Sequence, residues 1–221
     1  MKTNKKKAKM KTEIILKEGY PYIIVSGALF LISWLFSFPF VLQLIFFALF
    51  GFFVYFFRNP ARIPEDESPN AVISPSDGTI IEITNAISPI TKEESIKISI
   101  RLSLFDVHIQ RAPIGGEMSA REYIHGLFLS LGNEKASELN EQNRVLFEND
   151  LGKIVVNQIA GFITRRIVMF RDLGPVKVTE RYGMITFGSQ VDVYLPLNTT
   201  LKVTEFQKVY AGESLIGYIN E

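Results

Sequence analysis

A glycine–serine bond, Gly188-Ser189, lies in Phe187-Gly188-Ser189-Gln190 and is followed by Val191-Asp192-Val193-Tyr194-Leu195-Pro196. In that setting it reads as a self-cleavage site that turns Ser189 into a pyruvoyl group. A ketone made from the backbone supplies an electrophile that ordinary side chains lack. The chain contains no cysteine and no nucleotide-binding glycine loop that could carry other chemistry. A Gly-Ser pair is common, so the reading depends on its company. Only two histidines occur, His108 and His125. His108 ends a strand-like stretch in Phe105-Asp106-Val107-His108. By itself it fits either a base or a buried ring satisfied by a carbonyl. Asp77, in Ser76-Asp77-Gly78, fits either a turn cap or a partner for that ring.

Elements must bring these residues together, and the chain of 221 residues is long enough for one globular domain and a further segment. Lack of cysteine excludes a disulfide framework and thiolate metal sites, and it fits a reducing compartment. The net charge of +1 hides an asymmetry. Lys2, Lys5, Lys6, Lys7, Lys9, Lys11 and Lys17 precede the first apolar run, against Glu13 and Glu18. Taking these from totals of 24 and 23 leaves 17 basic and 21 acidic residues beyond residue 57. The larger part is mildly acidic and lacks the basic surface of a nucleic-acid binder.

Residues 19–57 contain no Asp, Glu, Lys, Arg or His. One straight helix of that length would reach about 59 Å at ~1.5 Å per residue, against a bilayer core of about 30 Å. Pro39 lies near the middle and breaks a helix by removing an N–H and crowding the preceding turn. The pattern predicts a membrane helical hairpin over residues 19–57, with arms at 22–36 and 40–57, after a basic segment at 1–18. Lysines before it and Arg58 and Arg62 after it place both ends on the cytoplasmic side of the cell membrane. Shallow insertion into one leaflet is the competing arrangement, since each arm is short for a span.

A linker is expected at 58–70, with Pro64 and Pro69. Beyond it, short runs rich in Ile, Val, Phe and Thr predict strands at 71–74, 79–84, 96–102, 153–159, 166–170, 184–187, 190–194 and 200–204. Residues 133–143 read as a short helix. The expected fold is mainly β (α+β): a two-layer β catalytic domain at 71–221. Residues 74–81 and 210–218 resemble the turns of a lipoyl-like β scaffold.

Three segments give the Gly-Ser bond its meaning. They are Ser74-Pro75-Ser76-Asp77-Gly78, the run from Leu102 through Asp106 and His108 to Arg111-Ala112-Pro113, and Tyr182-Gly183-Met184-Ile185-Thr186-Phe187-Gly188-Ser189. Asn157-Gln158-Ile159-Ala160-Gly161 and Arg165-Arg166-Ile167-Val168 lie between them. In this order and spacing the blocks resemble the phosphatidylserine decarboxylase family, in its short, membrane-attached type, from about Gly19 to Ile219.

The resemblance implies a proenzyme that cuts itself between Gly188 and Ser189, giving a β chain 1–188 and an α chain 189–221 that stay associated. Ser189 Oγ would attack the Gly188 carbonyl, and the products would be a chain ending at Gly188 and a pyruvoyl group at position 189. It implies His108 as the base, oriented by Asp77 in Ser-His-Asp fashion. It further implies that phosphatidylserine in the membrane forms a Schiff base with the pyruvoyl group and leaves as phosphatidylethanolamine and carbon dioxide. His108 is then the acid that protonates the carbanion, a role suited to a group titrating near neutrality. Neither a metal nor pyridoxal phosphate is called for. Longer members carry a second histidine where this chain has Arg111, which leaves Arg111 either contacting the substrate phosphate or carboxylate or pairing with a surface acid. His125 matches no family block and reads as a loop residue. The oligomeric state, a homo-oligomer included, stays open. Two rival readings remain: the same chemistry on an ether-linked serine phospholipid, and a non-cleaving membrane-tethered β scaffold.

Overall fold

A computed structural model of the chain describes residues 13–129, 136–161, 167–186 and 189–220. Outside the described residues lie the lysines from Lys2 to Lys11, Asn133 to Lys135, Arg165-Arg166, and Phe187-Gly188 with the expected scissile carbonyl. The chain divides into two compact units, 1–61 and 62–221.

The first unit is a helical hairpin. α1 (Tyr20–Leu35) and α2 (Phe40–Phe56) are separated where the sequence places the break. Ser37 turns the chain with φ of +49°, and Pro39 caps α2 in an extended conformation. The helices pack antiparallel: Tyr22 meets Phe53 at 5.4 Å between ring centroids, and Phe30 meets Phe47 at 5.3 Å. The base of the hairpin is closed by Leu16 N–H donating to Phe57 O (3.0 Å) and Asn59 N–H donating to Ile14 O (2.8 Å). Large apolar side chains face outward, among them Trp34, Phe36, Phe40 and Val41. The helix Lys17–Leu35 is long and apolar enough to cross a membrane, and Phe40–Phe56 is an apolar helix of shorter length.

The second unit is built mainly of strands, as the runs rich in Ile, Val, Phe and Thr predict, and the strands within its sheets pair antiparallel. In chain order these are β1 (Ala71–Ile73), β2 (Gly78–Ile87), β3 (Glu94–Arg101), β4 (Ile109–Arg111) and β5 (Gly116–Ile124). The short helix α3 (Ala136–Leu139) follows, then β6 (Gln142–Asn149), β7 (Gly152–Ala160), β8 (Ile167–Met169) and β9 (Gly174–Val176). The chain ends with β10 (Arg181–Ile185), β11 (Ser189–Pro196), β12 (Thr199–Leu201), β13 (Lys208–Val209) and β14 (Leu215–Ile219). An eight-stranded sheet runs β13-β2-β3-β11-β7-β6-β5-β9, and two three-stranded sheets run β4-β10-β8 and β1-β14-β12. The helix expected at 133–143 is confined, among the described residues, to α3, because Gln142 and Asn143 start a strand paired with both β5 and β7. The segment expected as a linker is tied to the sheets from Arg62 onward: Glu65 N–H donates to Glu213 O (2.9 Å), and Tyr218 Oη donates to Asp66 Oδ2 (2.6 Å).

Side chains alternate across a strand, and β11 uses both faces. Val191, Val193 and Leu195 join one core with Ile98, Ile100, Val156, Phe147 and Tyr182. Gln190 and Asp192 fall on the other face, yet both are buried. They belong to a polar seam in which Gln190 Nε2 donates to Asp192 Oδ1 (2.8 Å) and Asn157 Nδ2 donates to Gln142 Oε1 (2.9 Å). Gln142 Nε2 donates in turn to the Ser137 carbonyl of α3 (2.9 Å).

Burial pushes the Asp192 carboxyl above its ordinary range, against hydrogen bonds from Gln190 and Ser99 that favour the anion. A carboxyl raised on folding holds its proton more tightly in the folded chain, so stability is lost as pH rises through the raised value. Asp192→Asn is therefore expected to raise the melting temperature at pH 8 and to lose that advantage toward pH 4. Equal shifts at both pH values in thermal unfolding would contradict this account.

Candidate active site

Ser189 opens β11, in the middle of the eight-stranded sheet. Its backbone is fixed on both sides: Leu102 N–H, just past β3, donates to Ser189 O (3.0 Å), and Ala160 of β7 is its cross-strand partner. Alternation along β11 puts its side chain on the core face with Val191. The residue is fully buried, and Oγ has no hydrogen-bond partner among the described residues. Burying a hydroxyl without a partner costs roughly 1–3 kcal/mol, and among the described residues nothing offsets that cost at Ser189.

His108 reaches the same corner from the other side of residues 103–107. Its carbonyl accepts Ile185 N–H (3.2 Å) at the end of β10, the strand that leads to Gly188. The imidazole is buried, with Nδ1 2.9 Å from Asp106 O. A carbonyl only accepts, so Nδ1 carries the proton and Nε2 is the basic nitrogen. The Asp106 carboxylate anchors this turn by accepting Ser103 N–H (2.8 Å) and Lys208 Nζ (2.5 Å). Burial pushes that carboxyl up, but Lys208 and Ser103 outweigh it and hold the net value below the ordinary range.

Asp77 is buried one residue before Gly78. It accepts Arg62 Nη2 (2.9 Å), Ala211 N–H (2.8 Å) and the Val107 N–H. The expected arrangement, in which Asp77 orients the His108 ring, is modified here. Nδ1 is held by the Asp106 carbonyl, and Asp77 grips the peptide next to His108. Burial raises the Asp77 carboxyl, and Arg62 and the two N–H groups only partly offset it. Gly78 permits this crossing: its φ is +152°, and a Cβ would stand 2.6 Å from Arg101 O.

Arg111 lies beside the same carboxylate. Its Nη1 donates to Thr179 O (3.1 Å), and its Cα partner across β4 and β10 is Arg181. Burial, with Arg181 and Arg62 nearby, lowers its pKa to about 10, so it stays charged at neutral pH. Like charges on paired strands repel, and Asp77 offsets only part of this. Arg62 bridges Asp77 and Glu213 (2.7 Å) and sits 5.2 Å from the Tyr210 ring. His125 stands apart, exposed after β5 and edge-on to Tyr123 at 5.0 Å. Two surface clefts, one including Thr91 and Tyr194 and one including Asp66 and Val178, have none of Ser189, His108 or Asp77 in their walls. Among the described residues no group of three His, Cys, Asp or Glu is placed to hold a metal ion.

Comparison with known proteins decides the family. The phosphatidylserine decarboxylase family model matches residues 49–217, a stretch that contains every residue of this corner. A phosphatidylserine decarboxylase proenzyme of Geotalea uraniireducens is 44% identical over 208 residues, 93% of this chain and 96% of the relative. Proenzymes of the same name from Burkholderia cenocepacia and Burkholderia multivorans are each 40% identical over 215 residues, 94% of this chain and 97% of theirs. The chain belongs to the phosphatidylserine decarboxylase family.

Membership makes it an enzyme. Leu102, which holds Ser189, and His108, which is held by Ile185, stand at the two ends of residues 103–107, while Asp77 and Arg111 form a neighbouring charged group. Sequence reasoning missed Asp106, Lys208 and Arg62. Asp106 could have been noticed two residues before His108. The other two carry no signal, because they meet their partners across 102 and 15 residues. Asp77→Asn removes the charge opposite Arg62 and sets an amide where only an acceptor fits. It is expected to slow self-cleavage about 10-fold or more, read from the fraction of cut chain over time. Cleavage at the wild-type rate would reduce Asp77 to a turn residue.

Proposed function

We propose that the chain cuts itself between Gly188 and Ser189 and then decarboxylates phosphatidylserine to phosphatidylethanolamine and carbon dioxide. The observation that carries this is the buried Ser189 hydroxyl, unsatisfied among the described residues, at the start of the central strand. Serine is a weak nucleophile until a base takes its proton. His108 is that base, with Nε2 as the accepting nitrogen. Ser189 Oγ bonds to the Gly188 carbonyl carbon, the peptide C–N bond breaks, and an ester replaces the amide. Loss of the Ser189 α-proton then expels Gly188 as a carboxylate and leaves dehydroalanine. Water replaces its nitrogen, ammonia departs, and a pyruvoyl group begins the α chain.

The residues present fit that group. Position 189 is enclosed, its backbone carbonyl is held by Leu102 N–H, and its side-chain oxygen can change its bonding without breaking a hydrogen bond among the described residues. Once formed, the pyruvoyl group supplies the electron sink for loss of carbon dioxide. His108 gives a proton to the substrate carbon from Nε2 once that nitrogen has taken one up, while Nδ1–H stays on the Asp106 carbonyl and keeps the ring in place. Arg111 contributes positive charge for the headgroup phosphate or carboxylate, and Arg111→Lys is expected to raise KM for phosphatidylserine several-fold. An unchanged KM would remove Arg111 from substrate binding.

The apolar hairpin attaches the enzyme to the cell membrane, with the catalytic unit on the cytoplasmic side. A diacyl lipid does not leave the bilayer readily, so the enzyme must meet it there.

Intact mass under denaturing conditions tests the reading. The expected result is two species divided after Gly188, the smaller lighter than a serine-starting peptide by one ammonia, in protein that releases carbon dioxide from phosphatidylserine. A single uncut chain that still decarboxylates would overturn it.

A further inference from the structure

The turn that carries His108 also displays apolar surface. Leu102 and Val107 are buried, but between them Leu104 is 36% and Phe105 66% exposed. A second turn, residues 204–207, displays Phe206 at 79% exposure. The two turns are fastened together: Lys208, two residues after Phe206, donates to Asp106, one residue after Phe105 (2.5 Å). Phe206 has φ of +66°, a conformation bulky residues avoid. Its N–H is bound to Ile80 O (2.8 Å), and Ile80 N–H is bound to Gln207 O (3.0 Å), so the backbone is held there rather than loose.

Cations accompany the rings. Lys208 pairs with Thr79, Thr79 with Arg101, and Arg101 with Gln190, giving one row across four strands that ends beside Ser189. Lys208 and Arg101 are both exposed. Aromatic rings beside basic groups match the boundary between acyl chains and anionic headgroups.

We infer that Leu104, Phe105 and Phe206 form a membrane-docking rim that enters the headgroup–acyl boundary of a bilayer containing anionic lipid. This rests on the proposed function, since a lipid substrate must reach His108 and Ser189 from the bilayer. The rim does what the hairpin alone does not: it sets the reacting corner against the lipid, so that a headgroup can enter without its acyl chains crossing water.

The test uses the full chain reconstituted in vesicles of phosphatidylcholine and phosphatidylserine. Trp34 is the chain's one tryptophan, so Trp34→Phe combined with Phe206→Trp leaves a single reporter on the rim. Its emission is expected to shift to the blue and to fall at least about 2-fold with lipids brominated near the upper acyl chain. Water-like emission overturns the inference, and so does blue-shifted emission that brominated lipid leaves unquenched, the signature of a protein contact. This readout does not depend on cleavage or activity. A second arm uses Phe105→Ser combined with Phe206→Ser. Intact mass should show normal cutting, with the wild-type rate on short-chain phosphatidylserine held as monomers and a fall of about 10-fold or more on vesicles. Equal rates on vesicles, or an equal fall on both substrates, overturns it. An uncut wild-type chain with a quenched reporter would sink the proposed reaction while leaving the docking surface standing.

Discussion

Ser189→Ala yields a single chain with no detectable decarboxylation. The expected loss is complete, because one oxygen serves both reactions: it is the nucleophile of the cut, and without the cut no ketone forms. Folding offers no competing explanation. Ser189 Oγ has no hydrogen-bond partner among the described residues, and its backbone contacts to Leu102 and Ala160 do not involve the side chain. Removing a buried, unsatisfied hydroxyl is nearly neutral or stabilising. The variant should melt within about 1 kcal/mol of a wild-type chain held uncut. A folded Ser189→Ala protein that is cut after residue 188 would sink the mechanism, and one that unfolds would sink the description of the site.

His108→Ala is expected to slow self-cleavage about 10²–10⁴-fold, the usual contribution of a positioned general base. Here a structural cost must be separated from a chemical one, since the ring is buried and fills space against Asp106. Truncation to alanine leaves a small cavity and an unpaired Asp106 carbonyl, a destabilisation of roughly 1–3 kcal/mol. Added imidazole separates the two. It can occupy the cavity and restore a base, so cutting should recover with imidazole concentration, whereas pyrrole, which fills the same space without a basic nitrogen, should stabilise the uncut chain without restoring cutting. Wild-type cutting without imidazole removes His108 from the mechanism.

The strands that reach furthest into the core were the most legible. Residues 79–84, 96–102, 153–159 and 190–194 are rich in Ile, Val and Thr, with strict apolar–polar alternation in the second and fourth, and all four fall inside β2, β3, β7 and β11 or end one residue beyond. β5 and β6 were not foreseen. β5 contains Glu117, Arg121 and Glu122, and β6 begins with Gln142, Asn143 and Arg144. Their polar residues are accommodated by cross-strand pairs such as Arg121 Nε to Asn143 Oδ1 (2.6 Å), which no local pattern announces. The site divides in the same way. Ser189 and His108 are marked by residue type and setting. The atom that fixes the His108 tautomer is a main-chain oxygen of Asp106, and a main-chain oxygen has no residue-type signature. Arg62 was hidden between prolines because linker composition says nothing about a guanidinium that meets a carboxylate 15 residues later.

The position of β11 has a consequence for the lifetime of the enzyme. The residues after the proposed cut supply an interior strand of the eight-stranded sheet, its edge strand β13, and both β12 and β14 of a smaller sheet. Before the cut, folding is a unimolecular search in which the tether holds these strands near their partners. After it, the same sheet can be rebuilt only by two separate polypeptides meeting in solution, at a rate set by dilution rather than by loop closure. The uncut precursor should refold from denaturant and the cut enzyme should not. The mature protein would then persist through a high barrier to unfolding, and each molecule that crosses that barrier is lost.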